Sequence, residues 1–546
     1  MMPAMPLASV RRAAGLLAAV GLAVACLGPT PVAAADPATP VTHGSRTDPG
    51  VALTFDDGWT GAGALRLARV LAAAGAHATF FPYGAAVWQS PAIFSWIAGQ
   101  PGFEIADHTA THDVLCYVRS NGCIATSADP PTQIVGGRTV VEGLTGRPLL
   151  DVLRTPGGGY DHAVLVAAGA AGFSQVVGWD VSSADTAAWT PQGVRANVDK
   201  AQNGSIVLSH MGAVTTMAAL PDEITDLRAA GHPLRTVSEI LGLPPEAPQV
   251  DQGYATGGFG PGGGTGPRWQ PTEVLDAAGH RDLAWTQPDG VWFASDGTGA
   301  WVAERVAAST AGAEYYEQPS IALASDGTIG IAMTRETEAA TTVVVALRAG
   351  FGWALVPVPG QGRFASQPSL AVGPNGEVFV AYRDQGHWDI TSAPGHWSGQ
   401  GLYLASLTGG AWHTESFAMD SSDMNPSLAL DPVTGRPVIA VRARTGADGL
   451  DGRGTWLAIR GKSGWSYVQA SSREAYPSLR IAADGTRHLL LSDATSTALL
   501  AGAAAPGAAF SWRTIGAGRQ GTLAAPGTAV ATAITGGQDA LEELAF

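Results

Sequence analysis

The chain has 546 residues, of which 46% are hydrophobic and 14% charged, with 71 glycines and 36 prolines. That length exceeds a single hydrophobic core and asks for two to four domains, while the turn-rich, weakly charged composition excludes a disordered chain or a long coiled coil. A formal charge of −15 disfavours nucleic acid, anionic lipid and anionic polymers as partners and suits a neutral or cationic substrate.

At the N-terminus Arg11 and Arg12 precede an apolar run from Ala13 to Leu27, followed by small residues through Ala33-Ala34-Ala35. This is the layout of a secretory signal over 1–35, and the run is short for a membrane span. Ala25-Cys26 offers an alternative, lipoprotein cleavage before Cys26, although Ala23 stands where such sites usually carry leucine. Cleavage near Asp36 removes two arginines and no acid, taking the charge to −17. The expectation is an exported protein, monomeric and without a transmembrane span.

Residues 36–49 form a short lead into a domain over 50–243. Its strand-like runs VALTF, HATFF, FSQVVGW and SIVLSH alternate with helical stretches such as 63–74 and 190–202. Strand–helix alternation predicts a parallel sheet wrapped in helices, with chemistry at the carboxyl ends of the strands. Between them Cys116 and Cys123 bracket a short segment, CYVRSNGC. In an exported protein these two read as a loop-stapling disulfide, since alone they lack the partners a metal site needs.

Residues 244–268 lose apolar periodicity and fill with Gly and Pro, which marks a linker. Beyond it, over 269–546, helical signal vanishes and one phrase recurs: QPSIALASDG, QPSLAVGPNG, NPSLALDPVTG and YPSLRIAADG. Its prolines, Pro319, Pro368, Pro426 and Pro477, lie 49, 58 and 51 residues apart. A period near ~50 built from short strands is the mark of propeller blades, which must stack around a ring to bury their faces. Four blades are visible, and pairing Asp282–Val306 with Thr528–Phe546 closes a fifth; dividing Thr272–Trp301 differently gives six. The blade pattern resembles sialidase-like and other sugar-active propellers, without a clean S-x-D-x-G-x-T-W box.

Several short motifs in the first domain carry chemistry. Val51–Trp59 reads VALTFDDGW, a buried strand ending in two carboxylates. Adjacent strand side chains oppose each other, so Asp56 and Asp57 need a bend to work together, which Gly58 permits. Fifty-one residues after Asp57, His108 and His112 stand four apart, a spacing that brings both imidazoles to one side of a helical turn. With one carboxylate they make a two-His, one-carboxylate set that leaves positions open for water and substrate. Arg154-Thr155-Pro156-Gly157-Gly158-Gly159 is a turn with an arginine, Trp179-Asp180 leads to Asp185, and Val207-Leu208-Ser209-His210 ends a strand in a histidine.

Taken together these motifs resemble the NodB-type polysaccharide deacetylases (carbohydrate esterase family 4) across residues 48–243. TFDDG matches that family's first motif and HTATH its H-[ST]-x-x-H. ATFFPYG and FEIADHT match the context between them, RTPGGG matches R-x-P-x-G, and Leu208 and His210 match the closing L-x-x-H. The resemblance implies a distorted (β/α) barrel ahead of the propeller. It implies that Asp57, His108 and His112 hold a divalent cation, zinc first, with cobalt or nickel as alternatives. By the same resemblance Asp56 is the general base, His210 the general acid, Arg154 the partner that keeps Asp56 charged, and Asp185 the group that orients His210. Gly157, Gly158, Leu208 and Trp179 would border the substrate, Leu208 walling the acetyl pocket and a backbone N–H near Gly157 meeting the oxyanion. Such a cation lowers the pKa of water and polarises a carbonyl, and a buried aspartate raises a histidine's pKa.

Two positions depart from the family. Gly157 stands where an aromatic usually follows the proline, and Asp185 is followed by Thr186 rather than Trp, with Trp189 three residues on. Both remove surface that stacks on sugar rings and leave the acid, base and metal set intact. The reading is an exported deacetylase of N-acetylglucosamine-type glycan, or of O-acetylated polysaccharide, with a propeller that binds glycan or a partner. A non-catalytic glycan binder and a propeller with its own glycosidase site are the alternatives. For the latter Asp384, Asp389, Asp423 and Glu474 are candidates, scattered through turns.

Overall fold

The computed structural model describes residues 36–545 apart from 120–121, 188–189, 245–268, 277, 325, 350–351, 363, 390–395, 419–423, 444–451, 493–497, 518, 527 and 536–537. The expected signal segment with Cys26, the linker beyond Pro244, Trp189, Asp423 and the side chain of Asp389 lie outside the described residues. Among the described residues no helix is long and apolar enough to cross a membrane.

Among the described residues the first half carries eleven strands: β1 (Thr39–Val41), β2 (Val51–Asp57), β3 (Ala78–Pro82), β4 (Phe103–Ile105), β5 (Cys116–Arg119), β6 (Gly122–Ala125), β7 (Val152–Leu153), β8 (Gln175–Val177), β9 (Val181–Ser182), β10 (Ile206–Met211) and β11 (Leu234–Arg235). Eight helices separate them: α1 (Gly61–Ala73), α2 (Gly84–Gln89), α3 (Pro91–Ala98), α4 (Pro130–Thr145), α5 (His162–Ala170), α6 (Pro191–Val198), α7 (Val214–Ala229) and α8 (Val237–Leu241). Strand β2 is the spine. All seven of its residues are buried, as a strand with partners on both edges and helices on its flanks requires. The main sheet runs β4-β3-β2-β10-β9, all parallel, with β11 beside the start of β2. A smaller parallel sheet, β1-β8-β7, meets it through two isolated bridges, Asp107–Leu153 beyond the end of β4 and His43–Ser205 just ahead of β10, consistent with the distorted barrel that the family resemblance implied.

Helix starts follow local chemistry. Thr60, Asp129, Asp161 and Thr190 each accept a backbone N–H from the first turn of α1, α4, α5 and α6, and Thr236 with Glu239 closes a capping box on α8. Strands β5 and β6 form a hairpin stapled by Cys116–Cys123, whose Cα atoms are 5.7 Å apart, within ordinary disulfide reach.

From Trp269 onward five four-stranded antiparallel sheets follow in chain order, spanning Trp269–Ala308, Glu314–Pro357, Ala365–Ala418, Met424–Ser471 and Tyr476–Ala517. They are the five blades of a propeller. A three-stranded sheet, Arg519–Ala545, comes next and packs its first strand beside the innermost strands of blades one and five. This corrects the expected closure: Thr528–Phe546 does not pair with Asp282–Val306. Blade one is complete because Trp269–Leu275 supplies its innermost strand, with its own version of the repeated phrase at Gln270-Pro271-Thr272.

The recurring phrase has a mechanical explanation. Gln270, Gln318, Gln367 and Asn425 all take positive φ (53° to 56°) at a bulge just before the proline. The Gln270 side-chain oxygen accepts from Gln318 N (2.9 Å), Gln318 from Gln367 N (2.8 Å) and Gln367 from Asn425 N (2.7 Å). The hydroxyl two positions later makes a second relay: Ser320 accepts from Leu370 N, Ser369 from Leu428 N, Ser427 from Leu479 N and Ser478 from Leu523 N, at 2.8 to 3.0 Å. Each phrase therefore ties its blade to the next.

The hub of the ring meets the end of α2. Gln270 Nε2 donates to the carbonyls of Trp88 and Gln89 (3.0 Å each), and Gln318 Nε2 donates to Gln89 O (2.6 Å). Trp88 stacks on Tyr476 of blade five, ring centroids 5.0 Å apart. Trp269, Tyr315 and Tyr476 share one apolar cluster with the core around β2.

Candidate active site

The register of the main sheet builds the site. In the parallel pairing of β2 with β10, Asp56 stands opposite His210, so their side chains leave the same face of the sheet. The bend expected at Gly58 begins one residue earlier. Asp57 itself takes φ 77° and Gly58 follows at φ 90°, which swings the second carboxylate round to the first.

The two histidines are not on a helix. His108 and His112 lie in the loop after β4, brought together by left-handed turns at Thr109 (φ 68°) and at His112 (φ 63°). The i, i+4 spacing read correctly that they meet and wrongly how, because positive φ at two non-glycine residues leaves no trace in a spacing pattern. Their Nε2 atoms come to 3.3 Å (His108) and 2.9 Å (His112) from Asp57 Oδ1. Asp57, His108 and His112 offer one ligand atom each, all within 4.8 Å of one another. His108 Nδ1 donates to Arg154 O (2.8 Å), which fixes the tautomer and leaves the Nε2 lone pair facing Asp57. Burial works against charge on Asp57, but His112 and His108 outweigh it and hold the carboxyl far below the usual range. Three lone-pair donors converge on one point, and on the carboxylate among them Oδ1 is buried without a hydrogen bond. That donor set fits a divalent cation.

Asp56 belongs to a second network. Arg154, wholly buried, places Nη1 2.7 Å from Asp56 Oδ1 and 2.7 Å from Thr54 Oγ1. Its remaining donors go to Val177 O and Gly178 O (3.1 Å each), and its plane lies 4.1 Å from the centre of the Phe81 ring. The guanidinium is thus fixed along two edges, and the other Asp56 oxygen, Oδ2, faces His108 Nε2 at 3.9 Å.

His210 is held by Asp185 twice, through its backbone N (2.7 Å to Oδ2) and its ring Nδ1 (2.7 Å to Oδ1), while Thr216 Oγ1 donates to Oδ2 (2.5 Å). Burial pulls the imidazole pKa down, but the Asp185 bond and the charges of Asp185, Asp57 and Asp56 push it up to about 9. Its side chain remains 20% exposed and that of His112 33%, so the site opens on their side.

The residues expected to border substrate differ in their surroundings. Gly157 and Gly158 both take positive φ (70° and 71°). A Cβ on Gly158 would sit 2.5 Å from the Trp179 ring, whereas one on Gly157 would meet nothing within 4 Å. The missing aromatic at 157 therefore leaves open space. Leu208 is buried on β10 beside Thr54. The propeller acids stay apart from all this: Asp384 accepts from Gly362 N and Gly386 N, and Glu474 pairs with Arg442 and Arg453. Asp180 pairs with Arg46 and accepts from Ser205 and Ile206 N, bracing the start of β10.

Sequence reasoning missed three contributors. Thr54 and Thr216 brace Arg154 and Asp185. Trp59 stacks on His210, ring centroids 6.1 Å apart and planes 20° from parallel. All three sit within six residues of a recognised motif residue on strand, loop or helix, which is the signal that was available.

Comparison with known proteins gives a consistent picture. The family profile described as polysaccharide deacetylase matches residues 43–176. A peptidoglycan-N-acetylglucosamine deacetylase of Bacillus cereus is 32% identical over 199 residues, 35% of this chain and 87% of the relative. A chitooligosaccharide deacetylase of Sinorhizobium fredii is 30% identical over 186 residues, 33% of this chain and 78% of the relative. Among solved structures, a peptidoglycan N-acetylglucosamine deacetylase matches at 25% identity and TM-score 0.34, over 39% of this chain and 96% of its own. A family 4 pseudoenzyme from Bacillus anthracis matches at 24% identity and TM-score 0.33, over 38% and 69%.

Proposed function

The chain belongs to the polysaccharide deacetylase family, and from that premise we propose that it is an exported, metal-dependent hydrolase removing acetyl groups from a glycan built on N-acetylglucosamine, such as chitin or peptidoglycan. O-acetylated polysaccharide is the neighbouring substrate class. The observation that carries the reading is the meeting of the Asp57–His108–His112 donor set with the Asp56–Arg154 and His210–Asp185 pairs at one opening.

Asp57, His108 and His112 are the residues to hold a divalent cation, zinc first and cobalt or nickel on the same donors. Such an ion supplies Lewis acidity, polarising the acetyl carbonyl and making water a better nucleophile near neutral pH. Asp56 is the base. Its Oδ1 is tied to Arg154, so Oδ2 is the oxygen that takes the proton from the attacking water. His210 is the acid. With Nδ1 committed to Asp185, it delivers its proton from Nε2 to the leaving amine or hydroxyl. Gly158 N–H is already given to Thr155 O, so the N–H of Gly157 is the one assigned to the developing oxyanion. Leu208 walls the acetyl methyl, and Trp179, packed on Gly158, supports the loop from behind.

The open space above Gly157 favours one competing reading, a glycan binder with little turnover. Purified protein is incubated with acetylated chito-oligosaccharides, peptidoglycan and acetylated xylan, and acetate is followed with and without chelator and with Asp56→Asn. Release abolished by chelator, and lowered by about a thousandfold or more in Asp56→Asn, supports the enzyme. Binding without release supports the binder, and release of reducing sugar instead of acetate points to a glycosidase on the propeller.

A further inference from the structure

We infer that the propeller is a working part of the active site, and that Gln385 on its third blade is a positioning residue acting through Trp59 on His210. This rests on the reading of His210 as the general acid.

The segment Gly58–Gly61, which runs from Asp57 into the first residue of helix α1, is gripped from two sides. Gln385, buried on the strand Val378–Asp389, donates its Nε2 to Trp59 O at 3.1 Å. Beside it, Gly61 lies so close to the Glu336 carboxyl of blade two that a Cβ there would overlap Oε2. Behind the loop, a Cβ on Gly58 would fall 2.7 Å from the Phe94 ring of α3. Helix α3 is itself fixed to blade two, Ile93 N donating to Glu317 Oε1 at 3.2 Å and Ser90 Oγ to Glu336 Oε1 at 3.1 Å. Trp59 thus turns its backbone to the propeller and its indole to His210.

A loop with glycine at two of its four positions has little rigidity of its own, so what holds it is tertiary. Asp185 fixes His210 only along one edge, at N and Nδ1. Tilt of the ring about that edge is limited by the indole face stacked on it, and an indole face also favours an imidazolium. Proton delivery from Nε2 depends on angle as well as distance, and misplacing a reacting group by about 1 Å costs up to roughly a hundredfold. Removing the Gln385 donor therefore loosens the indole and the aim of His210 without touching a catalytic group.

The test uses the full chain and two substrates that differ in their need for an acid. An acetylated chito-oligosaccharide expels a poor amine leaving group, and 4-nitrophenyl acetate expels a phenolate that leaves unprotonated. Gln385→Met keeps the bulk and loses the N–H donor. Its kcat on the oligosaccharide is expected to fall about tenfold at unchanged KM, with the ester rate unmoved. Trp59→Ala is expected to show the same split by another route. Glu338→Gln, which removes an exposed ion pair with Arg69 in the same interface, should change neither rate. Equal losses on both substrates, or no loss in Gln385→Met, overturn the inference. Wild type against His210→Ala decides the underlying reading separately: equal oligosaccharide rates in those two would remove His210 as the acid, whatever Gln385 does.

Discussion

The molecule buries two pairs of carboxyl groups on either side of one short loop and treats them oppositely. Asp56 and Asp57, at the end of β2, face Arg154, His108 and His112. Glu317 and Glu336, on blade two, face neutral donors, the backbone of Ile93 and Ala92 and Ser90 Oγ, and neither makes an ion pair among the described residues. Burial pushes Glu336 up to about 7, and burial with the charge of Glu336 pushes Glu317 well above the ordinary range. Both pairs are almost wholly buried, so burial does not decide their state. What differs is the company they keep. The first pair lies against the Arg154 guanidinium and two imidazoles, whereas the second has no basic side chain in hydrogen-bond reach among the described residues and serves as hydrogen-bonding filler between two domains.

The comparison breaks most visibly if the cation is taken from the first pair. Arg154→Met keeps much of the volume and leaves Asp56 buried without its partner, and it strands the Val177 and Gly178 carbonyls. Loss of one member of a buried pair costs about 3–5 kcal/mol. Denaturant unfolding of the variant is expected to show a loss of that size together with loss of acetate release. A well-folded Arg154→Met at wild-type stability would mean that Asp56 is no more dependent on a cation than Glu336 is.

A second effect comes from His210, whose raised value ties it to the first pair through the Asp57 and Asp56 charges as well as Asp185. Its folded pKa of about 9 lies above the ordinary 6.5. The protonated imidazole is therefore present across neutral pH, and its contribution to stability is complete below about 6.5 and lost as pH rises through about 9. Rates on the N-acetyl substrate should fall about tenfold per unit above that point. A limb near 6.5 instead would show that the carboxylates do not act on it.

How much of this was legible follows from where each contact comes from. Asp56, Asp57, His108, His112, Arg154 and His210 sit in short contiguous motifs, because each is delivered by one strand end or one loop. The loop geometry was not legible. Thr109 and His112 take positive φ for tertiary reasons, so H-x-x-x-H looked helical when it is not. The repeated Pro gave the blades, yet Gln270-Pro271-Thr272 was passed over because it abuts the Gly/Pro-rich stretch and lacks the serine of its sister phrases. The seam between the domains was least legible of all. Gln385, Glu336 and Gln270 are ordinary strand residues until the chain brings Trp59, Gly61 and Trp88 against them.

The smallest expected effect sharpens the comparison most, because it carries the opposite sign. Glu336→Gln keeps an acceptor for Ser90 Oγ and replaces a group that must lose a proton with one that has none. In the wild type, the folded carboxyl at about 7 holds its proton where the unfolded one, at about 4.5, has released it. Between those values the native state binds more protons than the unfolded chain, so stability falls as pH rises from about 4.5 to 7 and the penalty is complete above 7. The variant should match wild type near pH 4 and exceed it by roughly 1–3 kcal/mol at pH 8, read as a rise in Tm that grows across that window. Asp56→Asn removes a carboxylate that Arg154 already neutralises and should show no such gain at pH 8. If Glu336→Gln also gains nothing at pH 8, burial does not raise the glutamate above its ordinary range, and the contrast between the two pairs dissolves.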